Sequence, residues 1–543
     1  MTDGSSDEPI GEDPTPPDVR FGEHEPGESS DPKVESEVGP TTVREVELKL
    51  RVHALFRLPD LVSTESGVGR AKKQVSRQLL AVYHDTDDLR LFRWGITLRR
   101  REGGNDEGWH MKLPVGHSGI SVRDEIRMPL DAGEVGDVPA ELRDIVFPLT
   151  RGVPLKPIAT LLTDRTPYLL YDQTGIAFAE LVDDTVSILD GDKVVARFRE
   201  LEVEALIPDA PLGSVVAALE ASGAVPGHES KAATALGPAT DGPPDVAEPE
   251  PVGPDDSAGA AITALLRRHI RAFMLQDVRV RRDLPDAVHQ MRVAARRLRS
   301  GLKAFGPLID PVWAENVRTE LGWAASQLGV ARDTEVLMTR LDRHAEELGE
   351  PDAHLVRTVI DPRLRERLDD ARASALSSLL GPRHQALLET LVQAARSPQL
   401  LPEADGLCRE VLPPLVDKAY RRLARQVKQL RIEGPAEEWH TARIAAKRAR
   451  YAADAVADIF GKPAKDLAEA LAGVTEVLGE HQDACVAQDV LREMAATSNV
   501  DGRTGFALGL LHEHEFEEEL HARLEFEQLW PDVRRIHKRT DWA

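Results

Sequence analysis

At 543 residues, 41% of them hydrophobic, the chain is too long for one ordinary core and long enough for roughly two to four folded units. No run reaches the ~20 apolar residues of a membrane span, and the opening MTDGSSDEPIGEDPTPPD is acidic and proline-rich where a secretory signal would be basic and then apolar; a cytoplasmic protein with no membrane partner is expected. The two cysteines, Cys408 and Cys485, support neither a disulfide framework nor a thiolate metal site, and packing is their expected use.

The net charge of −24 argues against a polyanionic ligand only until it is divided along the chain. Residues 1–40 hold twelve acids against Arg20 and Lys33, and 237–257 hold six acids and no base, so these segments carry −10 and −6 and leave −8 for the rest. Both are proline-rich and too polar to build a core. The expected organisation is a disordered acidic tail at 1–40, a first globular unit at 41–236, an acidic linker at 237–257 and a second globular unit at 258–543.

The first unit opens with EVELKL, residues 45–50. An extended chain points successive side chains to opposite faces, so Val46, Leu48 and Leu50 form an apolar face and Glu45, Glu47 and Lys49 a charged one. GVGRAKK, 67–73, has glycines and lysines without the spacing of a P-loop and reads as a mobile loop. Further strands then repeat the alternation: Arg99 and Arg101 in GITLRRRE, His110 and Lys112 in WHMKLP, Arg123, Glu125 and Arg127 in VRDEIRM, and Glu200, Glu202 and Glu204 in FRELEVEAL. If these faces turn to water, the result is an ordinary antiparallel sheet. If the sheet closes, they line an interior that holds carboxylates and cations together. Carboxylate oxygens suit Mg²⁺ or Mn²⁺, and Arg and Lys suit phosphate oxygens.

EVELK also matches an ExExK signature, YHDTDDLRLFRWGITLRRR resembles a Y-x-D-T-x-x-x-L…LR-x-R block, and LVDDTVSI, LEVE and ESKAATAL follow in order. On these motifs the first unit resembles the CYTH family, the triphosphate tunnel metalloenzymes named for class IV adenylyl cyclases and thiamine triphosphatases. The resemblance implies an α+β unit built on an eight-stranded antiparallel β tunnel that binds a triphosphate with Mg²⁺ or Mn²⁺. It makes Glu45, Glu47, Glu202 and Glu204 metal carboxylates, and Lys49, Arg99, Arg101, Lys112, Arg123, Arg165 and Lys231 a phosphate cradle, with Glu45, Glu47 and Lys49 as the catalytic group. Glu125 and Asp183 would orient the arginines. Asp85, Thr86 and Asp88 match the block too, although DTDD reads equally as a turn.

The second unit is helical by period and repeats itself. HQMRVAARRLR begins at His289 and HTARIAAKRAR at His440, followed by LGVARDTEV from Leu328 and LGEHQDACV from Leu478, at internal distances of 39 and 38 residues. His289, Arg292, Arg296, Arg299 and Lys303 fall inside a helical arc of about 80°. His440, Arg443, Lys447 and Arg450 repeat the first four, and the preceding helix carries Lys418, Arg421, Arg425 and Lys428 on one face. Few acids are interleaved, so these stripes need an anion, from elsewhere in the fold or from a ligand.

With both histidine motifs present, the unit resembles the CHAD family, the conserved histidine α-helical domains. The resemblance implies an all-α unit of two repeated helical bundles around a basic cavity that binds inorganic polyphosphate. His289 and His440 stand among arginines that would repel a dication, and so read as hydrogen-bond donors to phosphate rather than metal ligands. HEHEFEEELH, 512–521, sets His514, Glu518 and His521 at a metal-compatible spacing but reads first as an exposed acidic helix face. The expected activity is metal-dependent hydrolysis of inorganic triphosphate or a related triphosphate such as thiamine triphosphate or ATP, in a chain that also binds polyphosphate and associates with polyphosphate granules. An adenylyl cyclase and a non-catalytic polyphosphate-targeting protein are the alternatives. Nucleic acid ranks well below, because the chain is acidic overall and aromatics for base stacking make up only 4% of it. Oligomeric state is not legible.

Overall fold

The computed structural model describes residues 40–542 apart from 64, 115–120, 209, 228 and 497–499. The acidic tail up to residue 39 and the side chain of Glu45 lie outside the described residues. The alternating segments form the strands β1 (Thr41–Val52), β2 (Arg70–Lys73), β3 (Arg77–Asp85), β4 (Thr97–Glu102), β5 (Gly108–Pro114), β6 (Ser121–Met128), β7 (Lys156–Tyr171), β8 (Ala177–Asp190), β9 (Lys193–Ala205) and the short β10 (Val225–Pro226). The order is β1-β6-β5-β4-β3-β7-β8-β9, with every pairing antiparallel. Because β1 pairs β6 through Thr41–Glu47 and β9 through Glu47–Val52, the sheet curls into a tunnel whose two ends meet on β1. The stretch 67–73 is not a loop throughout: Arg70–Lys73 pairs with Tyr168–Tyr171 of β7 as β2, since strand pairing satisfies backbone groups that a free loop would leave to water.

Apolar faces point outward from this tunnel and are covered. Leu50, Leu181, Leu201 and Val203 pack beneath α3 (Leu212–Ala221) through Leu212, Val215 and Leu219. On the other side Leu98, Trp109, Met111, Ile126 and Met128 pack on Leu142, Val146 and Leu149 of α2 (Ala140–Thr150), and the same core continues into the helical unit. Of two shorter helices, α1 (Arg90–Arg93) lies between β3 and β4 in sequence and α4 (Lys231–Leu236) follows β10. The Asp85 carboxylate accepts the backbone N–H groups of Thr86, Leu91 and Phe92 at 2.7–2.9 Å, which gives the DTDD block its turn role.

Ten further helices follow: α5 (Ala258–Arg281), α6 (Ala287–Ala304), α7 (Pro311–Gln327), α8 (Gly329–Glu347), α9 (Asp352–Leu379), α10 (Pro382–Arg396), α11 (Cys408–Val427), α12 (Ala436–Phe460), α13 (Lys462–Ala495) and α14 (Gly502–Arg539). The repeat in the sequence becomes a repeat in packing. Each histidine helix, α6 or α12, lies against the helix before it and the one after it, and α6 meets α12. Among the described residues no helix is long and apolar enough to cross a membrane.

The acidic segment between the two units is a strap rather than a free spacer. Val246 is fully buried in the shared core, and the Asp245 carboxylate accepts Trp94 Nε1 at 2.9 Å and pairs with Arg151 at 2.5 Å. From the helical unit, Arg271 donates to the Val246 carbonyl and Arg396 to that of Asp245. Composition misled here because one apolar residue and one carboxylate, set among buried partners, are enough to anchor a polar segment. Residues from Pro40 onward accordingly form one compact unit.

Candidate functional site

Inside the tunnel the charged faces converge. On β1, Lys49 Nζ lies 3.0 Å from Glu202 and 3.4 Å from Glu47. Lys231, the first residue of α4, reaches Glu200 at 2.6 Å, Glu202 at 2.8 Å and Asp184 at 3.0 Å. Arg165 on β7 grips Asp184 with two donors, at 2.6 and 2.9 Å, and also reaches Glu202 at 2.9 Å. On the opposite wall Glu125 accepts His110 Nδ1 at 3.0 Å and lies 3.8 Å from both Arg99 and Lys112. Lys112, 3.9 Å from Glu47, joins the two walls.

Burial pushes the Glu202 carboxyl up, but Lys231, Lys49 and Arg165 outweigh it and hold the group well below the usual carboxylate range. Glu47 is held down against burial by Lys49 and Lys112, and Glu125 by His110 and Lys112. Glu200 goes the other way, because burial outweighs Lys231 and raises its carboxyl. Burial and the neighbouring Arg99 bring Arg101 down to about 10. The Nε atoms of Arg99 and Arg101 are buried without a hydrogen-bond partner, so donor capacity is left over in the tunnel. Asp184, Glu200 and Glu202 each offer an oxygen within 4.8 Å of the others, an all-carboxylate set suited to a hard divalent cation.

Where α6 meets α12 the charge is mainly positive, with Asp483 of α13 acting on Arg443 and Lys447 from beyond ion-pair range. Among the described residues no carboxylate is in ion-pair range of Arg296, Arg443 or Lys447, and the Nε atoms of Arg296, Arg443 and Arg450 are buried without a partner. Burial, then Arg443 and Arg296, bring Lys447 down to about 7. His289 is lowered by burial and by Arg332, and Arg443 by burial. Arg292 is better served, donating to the Gly329 carbonyl at 2.8 Å and pairing with Asp333 at 3.0 Å. Tyr451 lies beneath both Arg296 and Arg450.

A family model for the CYTH domain matches residues 43–233 and one for the CHAD domain matches 264–492. An uncharacterized protein of Mycobacterium tuberculosis, Rv2226 in strain H37Rv and MT2285 in strain CDC 1551, is 34% identical over 507 residues, which cover 87% of this chain and 92% of that one. The chain belongs to the CYTH–CHAD family. Solved structures resembling parts of it include PptA from Streptomyces chartreusis (25% identity, 51% of this chain and 100% of that one, TM-score 0.46). The CHAD domain from Ricinus communis (23%, 53% and 96%, TM-score 0.43) and HpAC1 from Hippeastrum, described as having a dominant triphosphatase activity (17%, 35% and 95%, TM-score 0.23), are others.

The CYTH tunnel gathers Glu47, Lys49, Arg99, Arg101, Lys112, Glu125, Arg165, Glu202 and Lys231. Glu204 stands opposite Glu47 in register, and Arg123 opposite Glu45. Asp183 does not join them; it pairs with Arg199, and its neighbour Asp184 is the one that turns inward. Asp184 and Glu200 are therefore the acids that motif matching missed, although Glu200 shares the alternation of β9.

In the CHAD domain the α6 and α12 stripes divide. Arg299 faces Arg318 of α7 rather than Lys447, and its guanidinium lies against Gly322. His440 is exposed and bonds Gln482. The α11 stripe of Lys418, Arg421, Arg425 and Lys428 stays exposed, with Arg421 paired to Asp417 on its own helix. Of these, Lys418 joins Lys303, Arg318, Arg422 and Arg448 around a separate cavity of about 460 Å³.

Proposed function

We propose that the CYTH tunnel hydrolyses inorganic triphosphate or a closely related triphosphate with Mg²⁺ or Mn²⁺, and that the CHAD domain binds inorganic polyphosphate. The carrying observation is the convergence of Asp184, Glu200 and Glu202 with Lys49, Arg165 and Lys231 beside the spare donors of Arg99 and Arg101. The donor set fits a divalent metal: its oxygens are carboxylate, lie close together and are neutralised by Lys231, whose flexible side chain can move to phosphate when a cation replaces it. When bound, the metal would polarise phosphoryl oxygens and offset charge on the transferring group.

Lys49, Arg99, Arg101, Lys112, Arg123 and Arg165 are suited to gripping the other phosphate oxygens, with Glu47 and Glu125 holding Lys49, Lys112 and Arg99 in place. Water attack then forms a phosphorus–oxygen bond as the anhydride bond breaks, the leaving phosphate taking the electron pair and the proton of the water passing to a product phosphate oxygen or to solvent. In the CHAD domain, Arg296, Arg443 and Lys447 supply positive charge with no carboxylate in ion-pair range among the described residues, which favours a linear polyanion and association with polyphosphate granules.

The purified full chain, assayed with inorganic triphosphate, thiamine triphosphate and ATP in Mg²⁺ or Mn²⁺, tests this reading. Metal-dependent phosphate release, greatest from one of the first two, is expected. Cyclic AMP from ATP would make the tunnel a cyclase, and polyphosphate binding without turnover would make the protein a targeting module.

A further inference from the structure

The histidine-rich run on α14 does not build a site along its own helix. His521 is exposed, while His514 faces α8, where His344 and Glu347 stand one helical turn apart. One nitrogen from each histidine and one oxygen of Glu347 lie within 4.8 Å of one another, with His514 Nε2 at 3.5 Å from Glu347. The two imidazoles meet edge to face at 4.5 Å between centroids. Metal–nitrogen bonds of ~2.0–2.1 Å in a tetrahedron put neighbouring ligand atoms ~3.3 Å apart, so small side-chain adjustments bring these three into one coordination sphere.

The second observation lies behind His344. Its Nδ1 is 2.7 Å from Glu515, a fully buried carboxylate whose other oxygen accepts Arg340 Nε at 2.7 Å. A carboxylate so placed keeps the proton on Nδ1 and leaves the Nε2 lone pair for a cation, the arrangement that orients metal-bound histidines. Arg343 now donates to that lone pair at 3.0 Å, from an exposed side chain free to swing aside. A second cluster, His481, Cys485 and Glu519, is less suited, because burial pushes the Cys485 thiol up to about 12 and Arg523 already donates to His481.

We propose that His344, Glu347 and His514 bind a transition-metal ion of the Zn²⁺ class, with Glu515 orienting His344, and that the ion ties α8 to α14 across the apolar cluster of Leu337, Leu341, Leu508 and Leu511. This site differs from the carboxylate set of the tunnel in carrying two imidazoles, and so selects a different metal.

The full chain titrated with Co²⁺ under excess Mg²⁺, which fills oxygen sites, should take up one equivalent with the visible absorption of nitrogen-ligated Co²⁺. Zn²⁺ should displace it and raise the melting temperature. His514→Ala and Glu347→Gln alter side chains that are not fully buried, so both should fold as judged by circular dichroism and lose at least ~10-fold in Zn²⁺ affinity. Arg343→Ala should tighten binding. No cobalt band, or a Zn²⁺ affinity unchanged in both ligand variants, would overturn the proposal.

Discussion

In the tunnel the cations stand beside carboxylates: Lys49 with Glu47 and Glu202, Arg165 with Asp184, and Lys231 with three acids. Where α6 meets α12, Arg296, Arg443 and Lys447 stand together with no carboxylate in ion-pair range among the described residues, and burial, then Arg443 and Arg296, hold Lys447 below its usual basicity. The difference follows from what each region is proposed to take in. A substrate that arrives with its metal needs both signs of charge held in fixed positions before it binds. A polyanion needs only one sign, and the repulsion among these basic side chains is relieved when it binds. On this view the tunnel is preorganised by internal pairing, and the basic cluster is completed by its ligand.

Breaking the basic cluster should produce the largest effect. Arg296→Glu with Lys447→Glu removes two charge-assisted contacts of about 1.5–3 kcal/mol each, so polyphosphate affinity should fall by roughly two to four orders of magnitude. Its dependence on salt should weaken by about two units of log–log slope. Calorimetric titration at several salt concentrations checks both, and triphosphate hydrolysis should be unchanged. In the tunnel, Asp184→Asn should lower kcat for metal-dependent triphosphate hydrolysis by ~10²–10³-fold while polyphosphate binding stays as it was. A phosphate-release assay that instead found Asp183→Asn the more damaging would invert the assignment on β8.

The strap offers a way to ask whether the two regions are mechanically one. Asp245→Ala leaves Trp94 Nε1 and part of Arg151 buried without their acceptor, and should cost about 1–3 kcal/mol. A lower melting temperature, with the transition separating into two, is expected in scanning calorimetry.

The smallest effect concerns pH. Lys447 is lowered by burial, by Arg443 on its own helix and by Arg296 and Arg292 on α6, with Asp483 of α13 opposing. A group at about 7 in the unliganded cluster, raised by a bound polyanion, takes up a proton on binding. Affinity is then greatest below pH 7 and falls by up to about tenfold per unit above it, until the raised value is passed. Lys447→Arg should flatten this profile in titrations from pH 6.5 to 8.5, because a guanidinium stays charged throughout.

Much of this was legible in the sequence because it rests on periodicity. Alternation of two marked the charged faces of β1, β4, β5, β6 and β9, and spacings of three and four marked the stripes on α6 and α12. Chemistry limited the tunnel to a few uses, since carboxylates and guanidinium groups on one face have few ligands that want both. None of these inferences needed to know which residues are neighbours across strands or helices.

The remainder depended on register and distance. The acid pair Asp183–Asp184 gives one carboxylate to each face of β8, and the choice is made at the hairpin, where Leu189 pairs Val194 but Ile188 pairs Ala196, leaving Val195 over. Without that one-residue bulge Asp183 would stand opposite Glu200; with it Asp184 does, and enters the tunnel. His344 and His514 lie far apart in the chain and meet only because α8 and α14 pack together, while Asp245 and Val246 become an anchor only where two units press on them. The sequence by itself determined which faces are charged, because side-chain direction repeats with the backbone. Tertiary structure alone decided which charges meet, because pairing depends on slips of a single residue and on contacts between elements that local pattern does not encode.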